Sequence, residues 1–272
     1  MNLVVENYNS LVRKFHKMER AFSEQEIHDK RVILRKTYPI LDAYNIKPAR
    51  VKNGDRAFKL FGKLRNIQVQ ILKLKTMEQT PEIVEYLNYL KLKELDINGD
   101  VRVFCRQKKV EFPHIKSKST IDKSRLIKKG EKYVNRINKE IQSENINNAK
   151  DIHRIRINFK KFRYLMEILS NLTYVDPKML ENIHYYQDKL GEIQDYRILI
   201  ADYSSFCKKN MLKRTISMEL FQEMQSALIE EFKQNLNSFI TVCTDAISFR
   251  IVLATQNDEV TEQDKTNDLK PK

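Results

Sequence analysis

Residues 151–169 read DIHRIRINFKKFRYLMEIL. The run contains no Gly or Pro, and its length and register predict an α-helix. At 100° per residue, Ile155, Phe159, Phe162, Met166 and Leu169 fall on one stripe. A stripe of that kind requires a core to pack against. Arg156, Lys160 and Arg163 lie opposite, within about 80° of His153, with Tyr164 beside them. Glu167 is the one acid on this cationic face.

The same design occurs earlier, in EIHDKRVILRKTYPIL at 26–41. His28, Arg31 and Arg35 repeat the offsets of His153, Arg156 and Lys160, and Lys36 matches Lys161. Ile33, Leu34, Thr37, Ile40 and Leu41 form the opposite, mostly apolar face. One cationic stripe is commonly a solvated helix face, but a solvated face needs no specified register. Two copies of H-x-x-R-x-x-x-[RK]-K, 125 residues apart, point to a shared task.

Each copy is followed by a second matching segment. AFKLFGKLRNIQVQI (57–71) aligns with YQDKLGEIQDYRILI (186–200), setting Gly62 on Gly191, Leu64 on Ile193, Asn66 on Asp195 and Val69 on Ile198. The His-to-Gly spacing is 34 residues in the first copy and 38 in the second. An internal duplication is the simplest account. Both glycines read as structural, since Gly inside an apolar helix can mark close helix approach.

These paired segments resemble the CHAD family, the conserved-histidine α-helical domain. The resemblance covers roughly residues 5 to 250 and is stronger in the second repeat, where H-x-x-R-x-x-x-K-K-x-R-Y and Q-x-x-L-G-x-x-x-D are both intact. In the first repeat Tyr38 stands where the family usually has Arg, Pro39 falls within the expected helix, and Asn66 replaces the usual Asp. The resemblance implies an all-α fold of two pseudo-symmetric antiparallel helical bundles with a basic central channel. It also implies inorganic polyphosphate as ligand; the residues alone specify only a polyanion. On this basis residues 1–254 form one CHAD-like domain, with repeat one at about 3–97 and repeat two at about 119–254.

Composition agrees with that class. Of the 272 residues, 32% are charged and 41% hydrophobic, with only five Gly and six Pro, which suits long amphipathic helices. The net charge of +14 calls for an anionic partner. The polar tail 255–272 holds five acids and three lysines and is expected to be disordered. No stretch has about 18 uninterrupted apolar residues, so no membrane span is expected. The N-terminus lacks the apolar run of a secretory signal, and Cys105, Cys207 and Cys243 form no C-x-x-C pair. A cytoplasmic location with reduced thiols is therefore expected.

Along the chain, a first helix is predicted over 3–20. Ser23 and Glu26 form a capping box, starting the His28 helix near Glu24. The next helix runs from about Arg56 to Met77, with Lys59, Lys63 and Arg65 around Gly62. Thr80 caps a following helix with Pro81 at its first position. Residues 96–120 show no clear period, and DVRVFCRQKKVEF suits a short extended piece at the junction between repeats. Ser119 to Ile141 reads as a very basic helix in which Arg125, Lys128, Lys132 and Arg136 make one continuous stripe. That stripe is either a wall of the anion site or a solvated face. After the polar link 143–150 and the helix at 151–169, Asp176 caps a helix running through His184 and Gly191 to about Lys208. Lys189, just before Gly191, is either its ligand contact or a solvated lysine. A final long helix is predicted over Ile216 to Leu253.

Enzymatic chemistry is not expected. His28, His153 and His184 form neither H-x-x-x-H nor H-E-x-x-H, and Arg at i+3 of each motif histidine would repel a metal. There is no P-loop or Gly-rich phosphate cradle, so no catalytic residue, metal or cofactor is assigned. The motif histidines instead suit donation to phosphate. The expected ligand contacts are thus His28, Arg31, Arg35, Lys36, Lys59, Lys63, Arg65, Arg125, Lys128, Lys132, Arg136, His153, Arg156, Lys160, Lys161, Arg163, Tyr164 and Lys189. Multivalent capture of polyphosphate, with targeting to polyphosphate granules as one use, is the favoured function. The alternative is nucleic-acid binding, which requires aromatic stacking among the cations. Phe15, Phe58, Phe61, Phe159 and Phe162 mostly fall on apolar faces, and Tyr164 is the exception. The sequence leaves the oligomeric state open.

Overall fold

A computed structural model describes residues 2–18, 23–116, 118–142, 146, 149–211 and 216–246. The described residues are helical almost throughout, and the all-α expectation holds. Two segments, Lys52 and Glu111, meet in an isolated antiparallel bridge.

Helix α1 (Leu3–Lys17) starts where the Asn2 side chain accepts from the Val5 N–H at 3.3 Å. Helix α2 (Glu24–Ala43) has the predicted capping box: the Ser23 hydroxyl accepts from Glu26 N–H, and the Glu26 carboxylate accepts from Ser23 N–H at 2.8 Å. It runs straight through Pro39. The missing N–H there costs a helical hydrogen bond, but Leu34, Thr37, Ile40 and Leu41 around it are all at most 4% exposed and hold the helix in place.

Helix α3 (Gly54–Lys75) follows a turn in which Asn53 adopts φ 58°. Gly54 is required by close approach, because a Cβ there would lie 2.6 Å from Val51 Cγ1 and 2.8 Å from the Tyr38 hydroxyl. Helix α4 (Pro81–Gln107) begins at Thr80, whose side chain accepts from Ile83 N–H. It runs well into the stretch that shows no clear period in sequence. The extended piece is therefore shorter than expected and lies beyond Gln107, where Lys52 and Glu111 exchange N–H···O bonds of 3.0 and 3.2 Å.

Helix α5 (Lys123–Gln142) starts four residues later than predicted, because Asp122 accepts from Arg125 N–H at 3.0 Å and acts as its cap. Helix α6 (Ala149–Ser170) contains the opening motif, and α7 (Pro177–Lys209) passes through Gly191. Helix α8 (Ile216–Gln234) ends sooner than the predicted single helix. The Asn235 side chain donates to the Glu231 carbonyl at 2.9 Å and competes with the backbone ladder. The chain turns at Asn235 and is helical again over 236–246. The predicted end at Leu253 and the tail 255–272 lie outside the described residues.

The chain divides into two compact units, residues 1–121 with 191–230 and residues 122–190 with 231–272. The units cut across the sequence repeats, since the second half of α7 and most of α8 join the unit of repeat one. In that first unit, Ile67, Ile71 and Leu74 of α3 pack with Tyr86, Leu87 and Leu90 of α4 and with Leu199, Tyr203, Phe206 and Phe221. A buried polar chain crosses this core: the Tyr86 hydroxyl donates to Gln70 Oε1 at 2.9 Å, and Gln70 Nε2 donates to Asp202 at 2.8 Å. Burial and the Asp202 charge push the Tyr86 pKa far up, so the hydroxyl stays a donor. In the second unit, Phe239 sits among Phe159, Tyr186 and Phe232, with ring centroids 4.9, 5.2 and 5.3 Å away. The predicted stripe Ile155, Phe159, Phe162, Met166 and Leu169 is at most 1% exposed throughout.

Candidate functional site

The two histidine motifs sit on α2 in the first unit and α6 in the second. In the first unit, Arg31 lies flat against α3. Its guanidinium carbon is 5.2 Å from the centre of the Phe58 ring. A Cβ on Gly62 would stand 3.4 Å from Arg31 Nε, so the glycine makes room for this side chain. The predicted close approach at Gly62 is thus a side chain lying over a helix. Gly191 differs, because a Cβ there meets no described atom within 4 Å; the close-approach role does not carry over to it.

His28, Arg31, Arg35 and Lys36 are all half-buried. Arg35 Nε is buried and has no hydrogen-bond partner among the described residues. His28 Nδ1 is 3.5 Å from Asp29, which also takes Lys14 at 3.1 Å. Burial raises the Asp29 pKa, but the bond to Lys14 and its charge, with Gln25 and His28, outweigh this and leave it below the ordinary carboxylate value. Tyr38, in place of the family's Arg, donates to Asp55 at 3.2 Å. Burial and the Asp55 charge hold that hydroxyl protonated. The substitution therefore replaces a cation with a neutral tie between α2 and α3.

Lys59 and Lys63 are exposed, and Arg65 is half-buried. With Arg56, Lys108 and the single acid Asp100, Lys59 and Lys63 line an open cavity of about 490 Å³ between α3 and α4. Arg56 completes an i, i+3, i+7 stripe with Lys59 and Lys63, a pattern that lies outside the histidine motifs. Lys108 comes to the cavity from the end of α4, and no local pattern announces it. Lys30, a further cation of α2, is only 1% exposed.

In the second unit, Arg125, Lys128, Lys132 and Arg136 are all exposed along α5, and none forms an ion pair among the described residues. The neighbouring helix α6 offers His153, Arg156 and Lys160 half-buried and Lys161 exposed. Arg154, on another face, ties α6 to α5 through Glu140 at 2.7 Å and to Asp151 at 2.9 Å. Those carboxylates, Glu140 first, hold its guanidinium more firmly protonated than usual.

Three predicted contacts are engaged inside the fold. Arg163 is 6% exposed, donates to Glu167 at 2.5 Å, and lies 4.3 Å over the ring of Tyr164. His184 brackets this pair, with Nδ1 3.4 Å from Arg163 Nη1 and Nε2 3.4 Å from Glu167. Tyr164 is itself 5% exposed and is not on an open cationic face. The helical stripe places Arg163 and Tyr164 correctly by angle. It misplaces them by depth, because all of residues 162–166 are buried and α6 is enclosed on every side there. Lys189 donates to Glu231 at 2.7 Å, so its charge is matched locally.

No group of three or more His, Cys, Asp or Glu that could hold a metal occurs among the described residues. Nor is any described helix long and apolar enough to cross a membrane.

Residues 111–201 match the CHAD domain family model. The match begins before α5 and ends within α7, so it spans the α5 stripe, the α6 motif and Gly191. No match is found among curated proteins. Among solved structures, the crystal structure of the CHAD domain from the plant Ricinus communis shares the fold, with a TM-score of 0.56 and 11% identity over 90% of this chain and 89% of that one. The family match over residues 111–201 and the shared fold support the resemblance carried by the histidine motifs.

Proposed function

We propose that the protein binds inorganic polyphosphate, without catalysing a reaction on it, through cations of α5 and α6. The observation that carries this is the α5 stripe: four exposed cations at i, i+3, i+7 and i+11 with no acid paired to them among the described residues. His153, Arg156 and Lys160 on α6, in the same unit, add forked and ring donors. Arg matches phosphate oxygens with a planar fork, and Lys adds mobile charge. A flexible strand with charge on every unit needs no more specific readout than this. His28, Arg31, Arg35 and Lys36 would serve the same polymer from the first repeat. A two-fold arrangement of both motifs around one basic channel is the arrangement the family resemblance suggests. Delivery to polyphosphate granules in the cytoplasm is the use that fits a binder with no catalytic motif.

Nucleic acid is the competing polyanion. Base stacking would need exposed aromatics between the cations, whereas Phe61, Phe159 and Phe162 are at most 1% exposed and the exposed Tyr174 and Tyr185 lie on neither α5 nor α6. Calorimetric titration with long-chain polyphosphate, then with single-stranded and duplex nucleic acid, separates the two at about 150 mM salt, where exposed charges are screened. Tight polyphosphate binding that weakens when Lys128 and Lys132 are both changed to Gln supports the proposal. Equal or tighter binding of nucleic acid refutes it.

A further inference from the structure

The middle of α4 carries more apolar surface than its own unit covers. Leu92 and Leu95 are 69% and 70% exposed, Val103 is 50% exposed and Val84 39%. Residues 91–100 include no buried side chain, although Leu90 and Val101 on either side are fully buried. At 100° per residue, Val84, Asn88, Leu92, Leu95, Gly99 and Val103 fall within about 100° of arc, on a stripe about 28 Å long. A Cβ on Gly99 would meet no described atom within 4 Å, so the stripe is open at that point.

The order of residues along this stripe is its own complement when reversed. Setting Leu92 opposite Leu95 of an antiparallel copy sets Val84 opposite Val103, Asn88 opposite Gly99 and Glu85 opposite Arg102. We infer that α4 pairs with α4 of a second copy of this chain across a two-fold axis. In an isologous interface each residue facing a second is faced by it in return, and about this axis leucine meets leucine and valine meets valine. Leucines meet at the centre. The glycine faces a small polar residue, letting the backbones approach. A Glu–Arg pair closes each end, where complementary charge fixes register. A stripe shaped for an unrelated helix, or for this chain's own C-terminal residues, would have no need of symmetry about its centre. The inference is independent of the polyphosphate proposal.

Sedimentation equilibrium of the full chain tests it. At concentrations up to about 100 μM, a range that reports even weak interfaces, a particle of twice 32.4 kDa is expected. Leu92→Lys with Leu95→Lys should give the mass of one chain with unchanged far-ultraviolet dichroism, since both side chains are mostly exposed. Glu85→Arg alone should weaken the dimer about tenfold, within the range of an interfacial charge reversal. Adding Arg102→Glu should restore it. A single-chain mass for the unaltered protein overturns the inference, as does a dimer that survives the lysine pair or a charge swap that fails to rescue.

Discussion

Removing Arg163 should damage the fold and spare the ligand. Its guanidinium is 6% exposed, bonded to Glu167 at 2.5 Å and stacked over Tyr164. Breaking a buried ion pair by deleting one partner costs about 3–5 kcal/mol. The Glu167 side chain keeps 24% of its surface in water, which relieves part of the stranded charge. The expected cost of Arg163→Ala is therefore about 2–3 kcal/mol. For a chain of this size that lowers the melting temperature by about 5–10 °C. The double change Arg163→Met with Glu167→Met should recover most of the loss, because replacing a buried pair by apolar groups of similar volume is often neutral. Polyphosphate affinity of the folded protein should change by less than about twofold, under 0.5 kcal/mol. Thermal melts and calorimetric titration on the same samples give both values. An unchanged melting temperature, or a tenfold loss of affinity in a protein that remains folded, would show that Arg163 faces the ligand and that its burial has been misjudged.

Gly191→Ala should stabilise the protein by about 0.5–1 kcal/mol, the helix-propensity gain, because a Cβ there meets open space; Gly62→Ala should gain less, since its Cβ would press on Arg31 at 3.4 Å. Urea unfolding of the two variants in parallel checks the order. Tyr86→Phe should cost about 1–3 kcal/mol, the price of stranding the buried Gln70 oxygen, and a smaller loss in the same urea assay would mean that Gln70 finds another donor. The depressed Asp29 carboxyl contributes stability that is present above its ordinary value of 3.8 and is lost as pH falls through its folded value. Stability measured from pH 5 down to pH 3 should therefore fall less steeply in Asp29→Asn than in the unaltered chain, by an amount limited to about 1 kcal/mol for so exposed a pair; identical slopes would remove Asp29 from the acid response.

Helix identity was legible wherever a cap and an apolar period coincided. Ser23 with Glu26, Thr80 with Pro81 and Asp176 with Pro177 each start a helix where the sequence places it. The middle of α4 departs from that pattern. Residues 91–100 hold no fully buried side chain, but Ile97 packs against the core between Leu90 and Val101, and continuing the helix costs less than a new nucleus. The stretch 96–120, which in sequence shows no clear period and suits a short extended piece at the junction, is therefore helical as far as Gln107. Asn235 was missed for the opposite reason. Its surroundings are helix formers, and its backbone N–H still reaches the Glu231 carbonyl at 3.3 Å, so the turn is a one-residue interruption with no sequence signal.

The site divides along the same line. Which cations share a helical face follows from spacing, so the α5 stripe and the His153–Arg156–Lys160 series could be named from the chain alone. Which of them remain open depends on partners brought in from elsewhere. His184 reaches Arg163 from α7, and Glu231 takes Lys189 from the end of α8. Those partners lie 21 and 42 residues away, and no helical period carries that information. The same distinction explains why Lys108 joins Lys59 and Lys63 unannounced. Charge patterning along a helix thus selects candidates, and tertiary pairing decides which can still act. On that criterion the four exposed cations of α5 outrank Arg163 and Lys189, although the latter lie closer to the motifs that first drew attention to the chain.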